Sequence, residues 1–266
     1  MPSHPTPMQE TLSAFQRLLE IMAELREKCP WDRAQTQDSI RPLTIEEVHE
    51  LSEAILSQDD PEIRAELGDL LLHIVFYAHM AGERQAFTMR DIIEGLNAKL
   101  IRRHPHVFGE TAVTGAPEVQ GNWERIKAQE KAAAGKVRAS ALDGVPASMP
   151  SLIMAQRMQE KAASLGFDWP NADEVWAKVE EEMQEFREAA TPAEREAEMG
   201  DLLFSLVNYC RFAEINADNA LSRTNRKFRQ RFQHVERRAA EDGRSLPEMT
   251  LAEMDVYWLE AKELGL

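Results

Sequence analysis

The sequence predicts an all-α chain made of two tandem four-helix bundles joined by a partly helical linker. Three observations lead there. Apolar residues recur at helical spacing through most of the 266 residues, without a convincing alternating strand pattern. Proline, glycine and capping residues interrupt that pattern at short intervals, as loops between packed helices do. Finally, Glu66-Leu67-Gly68-Asp69-Leu70-Leu71 returns as Glu198-Met199-Gly200-Asp201-Leu202-Leu203, an offset of 132 residues, so the chain is doubled. The expected divisions are a tail at 1–8, a first bundle at 9–110, a linker with one helix at 111–149 and a second bundle at 150–266.

In the first half, Leu12, Phe15, Leu18, Leu19, Met22 and Leu25 share one helical face from Gln9 to about Lys28. That helix stops at Cys29-Pro30, because the residue before a proline is pushed out of the α region. A second helix is predicted from Thr44, with Glu47 as its capping-box partner, to the turn at Asp59-Asp60-Pro61. Pro61 suits the first turn of a third helix, which carries Glu66 and Asp69 and runs to about Ala81. A fourth begins near Thr88 and ends by His104-Pro105.

Glycines and prolines then punctuate residues 107–149, around one predicted helix from Glu118 to about Ala134. The second half repeats the programme. Helices are predicted over Met154–Leu165, from Ala172-Asp173, from Thr191-Pro192, from about Ala217 to Ala240 and from Ala252 to Leu264.

Composition narrows the function. With 46 acids against 31 bases and a formal charge of −15, the surface is a poor partner for a phosphate backbone, which argues against nucleic acid. Cys29 and Cys210 form no ligand or disulfide framework and fit a reduced, cytoplasmic protein. The apolar run Leu70 to Ala81 is about a dozen residues, short of the roughly 20 that span a bilayer, so no membrane partner is expected.

The charged positions repeat as one set. Glu47 and Glu50 answer to Glu182 and Glu185, and Glu66 and Asp69 to Glu198 and Asp201. Lys99 and Arg103 answer to Lys227 and Arg231, and Trp123 and Lys127 to Trp258 and Lys262. Four carboxylates from two adjacent helices make an all-oxygen site suited to Mg²⁺, or Mn²⁺, rather than to a soft metal. The cations offer charge to phosphate oxygens and the tryptophans a face to a base. Together these point to a nucleotide with its metal.

Taken singly, each motif is a solvated helix face more often than a site. Two other readings therefore stand beside the first. Glu46-x-x-His49 has the spacing of carboxylate-bridged di-iron bundles, although the second copy has no histidine there. A non-catalytic helical interaction module would leave the acids as solvent-facing charge.

The set as a whole resembles the MazG family of nucleoside triphosphate pyrophosphohydrolases. Cys29-Pro30-Trp31-Asp32, Glu46-Glu47-x-x-Glu50, Glu66 to Leu71 and Arg102 to Phe108 carry the resemblance in the first half. Glu181-Glu182-x-x-Glu185, Glu198 to Phe204 and Asn225 to Phe232 carry it in the second. The resemblance implies two MazG-like domains, assembly as a homodimer, and Mg²⁺-dependent cleavage of nucleoside triphosphates to monophosphate and pyrophosphate in nucleotide-pool housekeeping. It implies metal ligation by Glu182, Glu185, Glu198 and Asp201, with Glu47, Glu50, Glu66 and Asp69 as their counterparts.

On that reading a metal-bound water attacks in line, Lys227, Arg231 and Lys262 neutralise the leaving pyrophosphate, and Glu182 is a candidate base. Lys99, Arg103, Trp123 and Lys127 repeat the substrate contacts of Trp258 and its neighbours. The copies differ where Asn208 aligns with Phe76 and Ser205 with His73. Asn208 can hydrogen-bond a substrate and Phe76 cannot, so the C-terminal site is expected to carry most of the catalysis.

Overall fold

A computed structural model describes residues 6–133 and 140–266. It divides into two compact units, 1–130 and 131–266, each taken here by itself. Among the described residues there are helices and no strands, and no helix is long and apolar enough to cross a membrane. Most of the expected tail, residues 1–5, lies outside the described residues, and Pro7 and Met8 already belong to the first helix.

In the first unit, α1 spans Pro7–Lys28 and starts with a reciprocal cap, Thr6 and Gln9 each bonding the other's backbone N–H. A one-turn helix, α2, covers Pro30–Ala34. The next helix corrects the sequence reading: α3 runs Gln37–Ser57, starting seven residues before Thr44. Its capping box is Thr36 with Ser39, and Pro42 lies inside it. Proline there removes only one intrahelical donor, and packing outweighs that loss. Thr44 is an interior residue, its hydroxyl donating to the Ile40 carbonyl and lying 2.8 Å from the Tyr77 hydroxyl.

Asp59 caps α4, Asp60–Glu83, and only a two-residue turn separates it from α3, so the two form a hairpin. Thr88 and Asp91 box the start of α5, Met89–Arg103. After it come α6, Pro105–Phe108, and α7, Ala116–Ala133, whose last residues pass the division between units.

Met22, Ile40, Val75, Phe76 and Met80 form the buried core of the first unit. Arg26 clamps its edge. The guanidinium lies 5.5 Å from the Phe76 ring centre, forks onto Glu83 at 2.9 and 2.7 Å, and donates to the carbonyls of Asp32 and Gln35. One side chain thus fixes the α2 corner against α1 and α4.

The second unit contains α8, Ser151–Ala163, α9, Ala172–Glu188, and α10, Pro192–Phe212. Then follow α11, Ala217–Glu241, a short 3-10 turn at Leu246–Glu248, and α12, Leu251–Glu263. Gly166, at φ +86°, reverses the chain after α8 in a conformation that a side chain would strain. Asn171 caps α9, and Thr191 with Glu194 boxes the start of α10. These two helices pack as a second hairpin, with Val175, Val179 and Val207 buried. Val235, Ala239, Met249 and Tyr257 bury the seam between α11 and α12. Each unit therefore places its acid motifs on one facing pair of helices, α3 with α4 and α9 with α10.

Candidate functional site

In the first unit, Glu47 projects from α3, and Glu66 and Asp69 from α4 at i, i+3 spacing. One carboxylate oxygen from each lies within 4.8 Å of the others. Glu47 and Glu66 are partly buried and Asp69 is exposed. Burial raises the pKa of Glu66 first, and the hydrogen bond and charge of Glu47 raise it further. Burial likewise raises Glu47, opposed by that same bond to Glu66. Both carboxyls are raised because two like charges in partial burial cannot both stay ionised cheaply. One turn beyond Asp69, His73 is buried with no partner at Nδ1 among the described residues, and burial lowers its pKa.

In the second unit, Glu182 and Glu185 on α9 meet Glu198 on α10, again with oxygens within 4.8 Å. Glu182 is buried. Here the fold supplies a cation: Lys178 Nζ lies 2.8 Å from Glu182 and 2.9 Å from Glu181. Those hydrogen bonds raise the lysine pKa above its usual value. Burial raises Glu185, and the charge of Glu182 adds to it, while Lys178 works against both.

Six of the eight acids named from the sequence thus gather, three to a unit. Glu47 with Glu66 corresponds to Glu182 with Glu198, so the two-helix pair is common to both copies. The third member differs, Asp69 in one and Glu185 in the other. Glu50 and Asp201, both exposed, stand outside these groups. Glu46 and His49 are exposed too, and among the described residues no histidine joins either group. Lys178 was missed by the repeat comparison because its counterpart is Leu43. Its signal was the i, i+4 spacing to Glu182.

The aromatic and cationic positions also meet. In the first unit the Arg103 guanidinium lies 4.9 Å and the Lys127 ammonium 5.4 Å from the Trp123 ring centre. In the second, Arg231 lies 5.8 Å from Trp258, which also packs on Phe228 at 5.2 Å. Arg231 Nε donates to the main-chain oxygen of Leu266 at 2.6 Å. Lys99, Lys227 and Lys262 are exposed on α5, α11 and α12.

Asn208 is partly buried, and its amide oxygen accepts two bonds from Arg211, at 2.9 and 3.2 Å. Arg211 in turn forks onto Asp168 in the corner before α9. The oxygen that the sequence reading offers to a substrate is therefore committed to that corner, which leaves Asn208 its NH₂ group as a donor. Sequence reasoning missed a further residue, Glu130, whose carboxylate takes both Arg102 and Arg103.

Chemically, three carboxylates with oxygens within 4.8 Å form a donor set suited to a hard divalent cation, since oxygen ligands fit such ions and their charge offsets the repulsion among the acids. The Lys178 ammonium already does part of this in the second unit. Fold and site together define a tandem all-α protein with one three-carboxylate group per unit, each unit carrying an arginine-on-tryptophan pair.

Sequence relatives agree with that class. Residues 35–108 and 172–236 match the MazG nucleotide pyrophosphohydrolase domain, which covers both acid hairpins. The chain is 46% identical over 257 residues to the nucleoside triphosphate pyrophosphohydrolase/pyrophosphatase MazG of Thermotoga maritima, covering 96% of this chain and 98% of that one. It is 42% identical over 259 residues to a nucleoside triphosphate pyrophosphohydrolase of Escherichia coli K12, covering 94% and 98%. It is also 44% identical over 255 residues to the YabN protein of Bacillus subtilis, where the match spans 52% of the longer chain. The chain belongs to the MazG nucleotide pyrophosphohydrolase family.

Proposed function

We propose that this protein hydrolyses nucleoside triphosphates to monophosphate and pyrophosphate in nucleotide-pool housekeeping in the cytoplasm, with Mg²⁺ as its cation and the C-terminal unit as its main catalytic site. The observation that carries this reading is the recurrence, on facing helices of each unit, of three carboxylates within 4.8 Å, in units that also each carry an arginine over a tryptophan ring. Glu182, Glu185 and Glu198 would hold the cation in the second unit, with the exposed Asp201 at its margin. A cation held there would supply charge for phosphate oxygens and would lower the pKa of a water.

The protein's own groups do the rest. Glu182 is buried against Lys178, whose ammonium pairs with it at 2.8 Å and holds it in place, which suits it to accept a proton or to ligate. Arg231 and the neighbouring Lys227 and Lys262 bring positive charge for a leaving pyrophosphate, and Trp258 offers its face to the base. Asn208 donates from its NH₂ group, held in place by Arg211 and Asp168. Glu47, Glu50, Glu66 and Asp69, with Lys99, Arg103, Trp123 and Lys127, form the weaker N-terminal counterpart.

Assembly as a homodimer is part of the same proposal, supported by apolar surface on α11, where Phe228 and Phe232 stack on one another and are 58% and 40% exposed. The test of function is incubation with each nucleoside triphosphate and Mg²⁺. Release of pyrophosphate supports the reading, and release of single phosphate, or no reaction, defeats it.

A further inference from the structure

The arginine of the first unit that corresponds to Arg231 is already occupied. Glu130, near the end of α7, places its carboxylate 2.5 Å from Arg103 Nη2, 3.1 Å from Arg103 Nε and 2.6 Å from Arg102 Nε. Arg103 and Glu130 are 13% and 18% exposed, so the fork is largely shielded from water. In the second unit Gly265 stands at the position of Glu130, and Arg231 is met by a hydrogen bond from Nε to the main-chain oxygen of Leu266, where Arg103 is gripped by a forked side-chain carboxylate.

A guanidinium fork on a planar two-oxygen anion is also the way an arginine grips a phosphate, so carboxylate and phosphate compete for the same donors. We propose that Glu130 acts as a resident phosphate mimic: it closes Arg103 to the substrate and so lowers the affinity of the N-terminal unit for nucleoside triphosphates. The inference rests on the proposed function, since it takes Arg103 to be the counterpart of a substrate-binding arginine. A triphosphate entering this unit must either displace Glu130 or bind without Arg103. Arg103 and Arg102 hold the Glu130 carboxyl down at about 2, so it stays ionised and competes throughout the neutral range. Trp123 lies under Arg103 and Lys127, so the residue that Glu130 holds is the same one that covers the aromatic ring of this unit.

A purely structural role makes the opposite forecast. Glu130 joins α7 to α5, and a mere clasp, once cut, would loosen Trp123 and weaken nucleotide binding rather than strengthen it.

The experiment uses the full chain with Glu182→Gln and Glu198→Gln, which disables the C-terminal acid group. The probe is an α,β-methylene analogue of ATP with Mg²⁺, measured by equilibrium dialysis. Adding Glu130→Gln is expected to tighten binding about tenfold, the size of one charge-assisted hydrogen bond released to the ligand. Adding Arg103→Ala to that chain is expected to erase the gain. Unchanged or weaker binding by a Glu130→Gln chain that melts normally overturns the proposal. If that chain melts early, Glu130→Asp carries the test: it keeps the charge but is too short to span both arginines, and absence of any gain there overturns the proposal as well. Failure of the wild type to release pyrophosphate would defeat the parent reading. Normal release with no gain from Glu130 variants would defeat this inference alone.

Discussion

Lys178 offers the sharpest perturbation of the acid group, because it is the fold's own cation and only the second unit has it. Its Nζ lies 2.8 Å from Glu182, whose side chain is 8% exposed, whereas the lysine itself is 31% exposed. At an effective dielectric near 20, a unit pair at that distance attracts by roughly 6 kcal/mol before desolvation is counted. Removing one partner from a buried pair costs about 3–5 kcal/mol, and exposed pairs are worth about 1 or less. The half-solvated pair belongs between, so Lys178→Met is expected to destabilise the protein by about 2 kcal/mol in chelator.

On the proposed function a divalent cation bound to Glu182, Glu185 and Glu198 would take over the neutralising role. With saturating Mg²⁺ the same substitution is therefore expected to cost less than about 1 kcal/mol. The assay is urea unfolding of both chains, in chelator and in Mg²⁺. Leu43→Met, at the matching position without a carboxylate partner, is the control and is expected to respond to neither condition. An equal loss for Lys178→Met with and without Mg²⁺ would refute the idea that ammonium and metal serve the same three acids.

Other outcomes follow from the geometry. Glu130 is depressed from 4.5 to about 2, so its pairing with Arg102 and Arg103 stabilises fully above about pH 4.5 and is lost as pH falls toward 2. Acid unfolding should accordingly show wild type and Glu130→Gln differing by about 1 kcal/mol at pH 6, after allowance for solvent screening, and converging near pH 2. Phe76→Ala removes the 2%-exposed centre of the first core and the ring under Arg26, and is expected to cost about 3–5 kcal/mol by urea unfolding. Glu66→Gln removes the proton-sharing member of the first acid group, and calorimetry should show weaker Mg²⁺ binding together with less proton release on binding.

The hairpins that carry the acids were legible because i, i+3 spacing and hydrophobic period fix which residues share a helix face. Which three of four acids converge was not. Glu50 and Asp201 share the i, i+3 spacing and still stand outside the groups, a distinction that spacing does not encode. The early start of α3 was hidden by Pro42, which reads as a breaker, and by Thr44 with Glu47, which imitates a capping box. Lys178 and Glu130 escaped for a shared reason. Comparing the repeats picks out what recurs, and these two residues act where the copies differ, facing Leu43 and Gly265 in the alignment. Asn208 was found by that same comparison. Only the structure revealed that Arg211 already holds its oxygen.

The central claim is that the Glu182–Glu185–Glu198 group does the chemistry with a divalent cation. Steady-state turnover of a nucleoside triphosphate, with pyrophosphate and phosphate resolved separately, tests it most directly when the wild type is compared with Glu182→Gln/Glu198→Gln and Glu47→Gln/Glu66→Gln. The expected result is Mg²⁺-dependent pyrophosphate release that falls by about 100-fold or more in the first variant, since even outer-shell changes at metal sites cost about 10–100-fold, and that persists in the second. Equal activity in all three proteins would contradict the claim, as would a loss confined to the Glu47→Gln/Glu66→Gln chain.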